Sequence, residues 1–130
     1  MKLRELLAEI KLANFSDQAD VEISGIAYSS SLVEPGNIFA AIKGFKADGH
    51  DFLPEAIKKG AAAIISERQK PEKVDIIWIQ VTDAREALAL ISAAFYGYPA
   101  FNLKTIGITG TKGKTTVSYI LESILRAAGL

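Results

Sequence analysis

Residues 104–130 constrain the chain most: Lys-Thr-Ile-Gly-Ile-Thr-Gly-Thr-Lys-Gly-Lys-Thr-Thr-Val, then an amphipathic run. A short apolar stretch over 105–109 meets a cluster of glycine, lysine and threonine. Apolar residues then recur at Val117, Ile120, Leu121, Ile124, Leu125 and Ala128. That spacing is the 3.6-residue period of a helix with one buried face, and Gly129 stands where a C-terminal cap belongs. The sequence predicts a strand, a loop and a helix.

The loop, Gly110, Thr111, Lys112, Gly113, Lys114, Thr115 and Thr116, has what a polyphosphate needs. Its glycines let the backbone bend and come close, and successive N–H groups at the helix start point toward the anion. Lys114 is expected to reach the terminal phosphates and Thr115 to offer its hydroxyl to Mg²⁺. The pattern departs from G-x-x-x-x-G-K-[ST]: Ile108 stands five before Gly113, and the glycines stand three and six before it, at Gly110 and Gly107.

Fifteen acidic and fifteen basic side chains cancel, which favours a small-molecule ligand over nucleic acid or another polyelectrolyte. The absence of cysteine excludes a disulfide scaffold and a thiolate zinc site. The charged start Met1-Lys2-Leu3-Arg4-Glu5 is no signal peptide, and no stretch approaches the roughly 18 apolar residues of a membrane span. A soluble, cytoplasmic protein without membrane partners is the expectation.

Upstream, Leu3, Leu6, Leu7 and Ile10 mark one face of a first helix, and residues 14–20 read as a polar loop. Strands are expected over 21–28 and, after the turn Glu34-Pro35-Gly36-Asn37, over 37–42. Asp51 is the expected N-cap of a helix over 52–59, with Pro54 in its first turn and Gly60 closing it. Residues 61–66 and 75–81 read as strands, the second with Trp78 in the core. Asp83 and Glu86 open a helix that buries Ala84, Ala87 or Leu88, Ile91, Ala94 and Phe95. Gly97-Tyr98-Pro99-Ala100 ends it, placing a domain boundary between 1–98 and 99–130. Strands alternating with helices imply an α/β domain with a mainly parallel sheet. A single strand–helix pair after residue 100 cannot satisfy a central strand's hydrogen bonds, so the chain is expected to be an amino-terminal fragment, inactive alone, or to borrow partners. His50 reads as a structural hydrogen-bonder, and no Ser-His-Asp or metal-ligand spacing is seen.

The string Ile-Gly-Ile-Thr-Gly-Thr-Lys-Gly-Lys-Thr-Thr resembles the ATP-binding loop of the Mur ligases, ADP-forming amino-acid ligases of peptidoglycan synthesis. There the shorter G-T-x-G-K-T spacing is the rule, with Asn common at the position of Lys112. Folylpolyglutamate synthetases share a similar loop. Residues 25–44, 47–52 and 56–65 are similar to the amino-terminal domain of the two Mur ligases that add the third amino acid and the terminal dipeptide, a domain the folylpolyglutamate synthetases lack. Thr111 and Thr116 favour the third-residue ligases.

The resemblance implies that residues 1–98 hold the UDP end of UDP-N-acetylmuramoyl dipeptide and that 99–130 open a P-loop ATPase domain using ATP and Mg²⁺. Tyr28 and Ser30 stand at the first expected UDP contact, and Phe45, Lys46 and Ala47 at the second. The family's Asp-Ser-Arg triplet is here Ser29-Ser30-Ser31, so only its middle hydroxyl is kept. Lys114 is the implied catalytic residue, diaminopimelate or lysine the implied amino acid. The alternatives are a dipeptide-adding ligase and a non-catalytic UDP-sugar-binding module.

Overall fold

The computed structural model describes residues 1–8, 10, 12–15, 20–44 and 47–129. They divide into two compact units, Met1–Pro99 and Ala100–Leu130.

The first unit is a five-stranded sheet covered on both faces. Its strands are β1 (Leu12–Phe15), β2 (Gly25–Ala27), β3 (Asn37–Ala41), β4 (Ala63–Ser66) and β5 (Ile77–Val81), in the order β1-β5-β4-β3-β2. β2 through β5 run parallel, and β1 lies antiparallel to β5 at one edge. Its helices are α1 (Leu3–Leu7), α2 (Leu53–Lys58) and α3 (Ala84–Phe95).

A parallel sheet buried on both sides needs apolar residues at every strand position, each face taking alternate ones. β3 does this: Ile38 and Ala40 join the core under α1 and α3, while Phe39 and Ala41 join the core with Ala56 of α2. β4 and β5 alternate likewise, with Ile65 and Ile79 on the first side and Ile64 and Trp78 on the second. Trp78 is core as expected, its indole N–H donating to the Arg68 carbonyl at 2.9 Å.

Helix ends follow local chemistry. Asp83 caps α3, its carboxylate accepting the N–H groups of Arg85 and Glu86. α2 closes at Gly60, whose N–H reaches the Ile57 carbonyl while that of Ala61 reaches Ala56, a Schellman closure. α3 ends the same way, with Gly97 N–H on Ala94 and Tyr98 N–H on Ala93.

Several expectations need correction. The cap of the helix after residue 48 is Asp48, not Asp51: a 3₁₀ turn, Gly49–Phe52, precedes α2, and Asp48 accepts the His50 N–H there. The strand expected over 21–28 shrinks to β2, because Glu22 instead bridges Lys2 and Leu3 N–H bonds to the Val21 carbonyl. Residues 14 and 15, read as loop, belong to β1, a strand held only by its long-range pairing with β5.

The second unit holds α4 (Pro99–Asn102) and α5 (Lys114–Ala127). The strand expected over 105–109 is not formed: among the described residues this unit contains no second strand to supply the ladder's N–H and C=O groups. Residues Ile106 and Ile108 instead line a groove with Leu121 and Leu125 of α5. Val117, Ile120 and Ile124 are exposed, so the helix's apolar stripe is largely uncovered within the unit.

Candidate functional sites

Two candidate sites lie in the two units. In the second, the residues between 109 and α5 are exposed. Gly113 takes the left-handed conformation (φ 81°) as the N-cap of α5, where a side chain would be strained, and no side chain caps the helix. The first-turn N–H groups of a 14-residue helix therefore face outward with the positive end of its dipole. Lys114 folds back over this loop, its Nζ donating to the Gly110 carbonyl at 2.6 Å. The expected residues 110–116 are thus contiguous around one helix start, with the ammonium over the loop and the Thr115 and Thr116 side chains exposed. Such a donor set, a cation with N–H groups and a hydroxyl beside it, suits a nucleotide's phosphates with a bound Mg²⁺.

In the first unit, the carboxyl ends of β2 and β3 open onto a cavity of about 520 Å³, lined by Tyr28, Ser29, Ser30, Phe39, Ile42, Gly44, Ala47, Gly49, Phe52, Arg85 and Leu88. Ligands of parallel α/β sheets commonly bind outside the carboxyl ends of the strands. Of the expected UDP contacts, Tyr28, Ser30 and Ala47 come together here. Phe45 and Lys46 lie outside the described residues. Tyr28 is 67% exposed, an aromatic face available for stacking.

Ser30 sits in a short 3₁₀ turn, Ser30–Leu32, and is buried. Its hydroxyl donates to Glu55 at 2.7 Å, and Lys59 ties the same carboxylate (3.0 Å) to the Ser30 carbonyl (2.8 Å). Ser30, then Lys59, hold the Glu55 carboxyl below its ordinary value. With its proton committed to Glu55, the Ser30 oxygen has acceptor capacity left for a ligand N–H. The neighbours Ser29 and Ser31 bond each other at 2.9 Å where the resemblance led one to look for an acid and a base.

Two features in and beside this cavity escaped sequence reasoning. One is Arg85, which brings a cation to the lining while donating to the Lys43 carbonyl at 2.9 Å; a charged residue just after a cap gives no sequence signal beyond a solvated helix face. The other is spatial. Although no Ser-His-Asp pattern stands out along the chain, His50 links Asp48 (Nδ1 to Oδ1, 2.6 Å) to Ser66 (Nε2 to Oγ, 2.8 Å). Ser66 is fully buried and its Oγ also accepts the Arg68 N–H, so this serine is no accessible nucleophile. His50 is the structural hydrogen-bonder expected, with Asp48 and Ser66 as its partners.

The N–H and ring of His50, with the Arg68 charge beyond them, lower the Asp48 carboxyl from 3.8 to about 2. A carboxyl with a depressed folded pKa stabilises the fold fully above its unfolded value, and that contribution is lost as pH falls through the folded one. Acid titration followed by amide chemical shifts is expected to leave residues 47–50 unperturbed above pH ~4 and to loosen them between pH ~4 and ~2. Invariant shifts down to pH ~2 would rule the Asp48 charge out as a stabilising element.

Comparison with known proteins supplies the context. Residues 22–96 match the family described as Mur ligase family, catalytic domain. The chain is 46% identical over 131 residues to the UDP-N-acetylmuramoyl-L-alanyl-D-glutamate–2,6-diaminopimelate ligase of Solibacter usitatus, covering 99% of this chain and 26% of that protein. Among solved structures, it is similar to MurF from Acinetobacter baumannii (TM-score 0.75, 32% identity, 97% of this chain and 27% of that one). It also resembles MurF ligase from Thermotoga maritima in complex with ADP (TM-score 0.59, 33% identity, 82% of this chain and 24% of that one). The chain thus spans about a quarter of the length of the relatives it matches. Among the described residues, no helix is long and apolar enough to cross a membrane and no cluster of metal-ligating side chains occurs.

Proposed function

Because the chain belongs to the Mur ligase family, we propose that it supplies the nucleotide-handling amino-terminal part of a cytoplasmic, ADP-forming ligase that adds diaminopimelate or lysine to UDP-N-acetylmuramoyl-L-Ala-D-Glu. Residues 1–98 would hold the UDP end of the substrate, and 99–130 would begin the ATP-binding domain. The observation that carries the reading is the uncapped start of α5 beneath Lys114.

In this reading ATP phosphorylates the substrate carboxylate, and the incoming amine displaces phosphate from the acyl phosphate. Gly110, Thr111, Lys112, Gly113 and Thr116 surround the phosphates with backbone N–H groups and hydroxyls. Lys114 exchanges the Gly110 carbonyl for phosphate oxygens and balances charge on the transferring group. Thr115 would hold Mg²⁺, which would supply charge neutralisation for the phosphates. Tyr28, Ser30 and Ala47, with Phe45 and Lys46, contact the uridine end.

Calorimetry of this chain against UDP and against ATP tests the assignment: UDP is expected to bind weakly through the cavity beside Ser30, and ATP poorly. Ser30→Ala removes the hydroxyl between ligand and Glu55, and UDP affinity is expected to fall by about three- to tenfold, the range for one lost hydrogen bond. An affinity unchanged by the substitution takes Ser30 out of the site. A dipeptide-adding ligase is the second reading, favoured by the MurF structures at 32–33% identity. Substrate preference of the ligase separates the two.

A further inference from the structure

The described residues 42–44 and 47–49 pair as the two arms of a small hairpin in the cavity's wall: Gly49 N–H bonds the Ile42 carbonyl and Gly44 N–H the Ala47 carbonyl, both at 2.9 Å, and Lys43 bridges Asp48. Four of its residues, Ile42, Gly44, Ala47 and Gly49, line the cavity. At Gly49 the backbones meet so closely that a Cβ would lie 2.6 Å from the Ile42 nitrogen. Beyond Ala41, the last residue of β3 paired with β4, this segment is tied to its surroundings by the Gly49–Ile42 backbone bond and by Arg85 on the Lys43 carbonyl.

A further tie runs from this segment to β4. The His50 side chain is 7% exposed and lies between Asp48, at the hairpin's base, and Ser66, the last residue of β4. The Asp48 carboxylate can only accept, so His50 Nδ1 carries the proton between them; in the neutral ring Nε2 is then the acceptor, and the Ser66 hydroxyl donates to it while its oxygen accepts the Arg68 N–H. Arg68 closes the ring by pairing with the other Asp48 oxygen. Every polar atom in this cluster is partnered, and none of the three side chains lines the cavity. A fully satisfied buried network of this kind costs little to keep and is expensive to disturb.

We infer that His50 is a positioning residue: clasped between Asp48 and Ser66, it holds Ala47, Asp48 and Gly49 against β4 and thereby pre-organises the nucleotide-binding cavity. The inference rests on the cavity being the UDP site. Binding to a preformed wall avoids the ordering cost that a loose loop would charge against affinity.

The test uses the whole chain in two readouts, amide hydrogen exchange of the free protein and calorimetry with UDP, at a temperature where circular dichroism shows each variant folded. His50→Ala is expected to speed exchange at Gly44, Ala47 and Gly49 selectively, leaving β3–β5 protected, and to weaken UDP about tenfold. Ser66→Ala, a smaller change that removes only the hydroxyl, is expected to do the same to a lesser degree and decides the matter if His50→Ala fails to fold. His50→Gln, which keeps a polar terminus near Ser66, is expected to recover part of both effects. Exchange in the hairpin that stays at wild-type rates in a folded variant overturns the inference, whatever UDP does. Faster exchange in the hairpin with UDP affinity unchanged overturns its link to the cavity. Absence of UDP binding by the wild-type chain sinks the site assignment instead, and the exchange data then judge the clasp alone.

Discussion

Lys114→Ala is expected to slow amide-bond formation by the ligase roughly a thousandfold, the scale seen when one preorganised charge facing a transferring group is deleted. The structure explains why so exposed a side chain should matter so much. Its ammonium already sits over the loop, bonded to the Gly110 carbonyl at 2.6 Å, and the N–H groups around it have no side-chain cap to compete with a phosphate. Replacing it removes no packing, so the fold should be untouched. Steady-state ADP release, with circular dichroism as control, measures the effect, and a loss of less than about tenfold would place Lys114 away from the transferred phosphoryl group.

Phe39→Ala is expected to destabilise the first unit by about 3–5 kcal/mol. The ring is 1% exposed, on a strand paired on both sides, and packs with Trp78, Ile64 and Ala56 in the smaller of the two cores. Domain stabilities of about 5–15 kcal/mol leave little after such a loss. Because the ring also lines the cavity, UDP binding should weaken in parallel. Urea unfolding of wild type and variant reads the difference; a shift below about 1 kcal/mol would mean the site collapses around the missing ring.

The fold class was legible because a parallel sheet writes itself as apolar runs between helical periods, and Ile38 to Ala41 or Ile77 to Val81 are such runs. The candidate phosphate loop can be proposed from sequence because its chemistry is local: Gly110 to Thr116 needs no distant partner to suggest itself. What depends on distant partners was not legible. β1 contains a polar Asn14 and exists through pairing with Gln80 and its neighbours, more than sixty residues away in sequence. The 105–109 segment has a strand's composition, but among the described residues its unit holds no strand for it to pair with. The clasp joins residues sixteen apart, His50 and Ser66, through hydrogen bonds that leave no periodic trace. Choosing Asp51 over Asp48 as cap failed because both are acceptable caps, and only the tight approach of Gly49 to Ile42 sets where the turn begins.

The sheet's two margins bear on how the molecule behaves in a crowded solution. One border is the three-residue β2, too brief to template a foreign strand; the other is β1, whose register slips between Leu12 and Asn14. Borders so short and irregular discourage edge-to-edge stacking of chains into fibrils. Residues 1–99 should therefore stay dispersed at concentrations where a sheet with long, flat rims would precipitate.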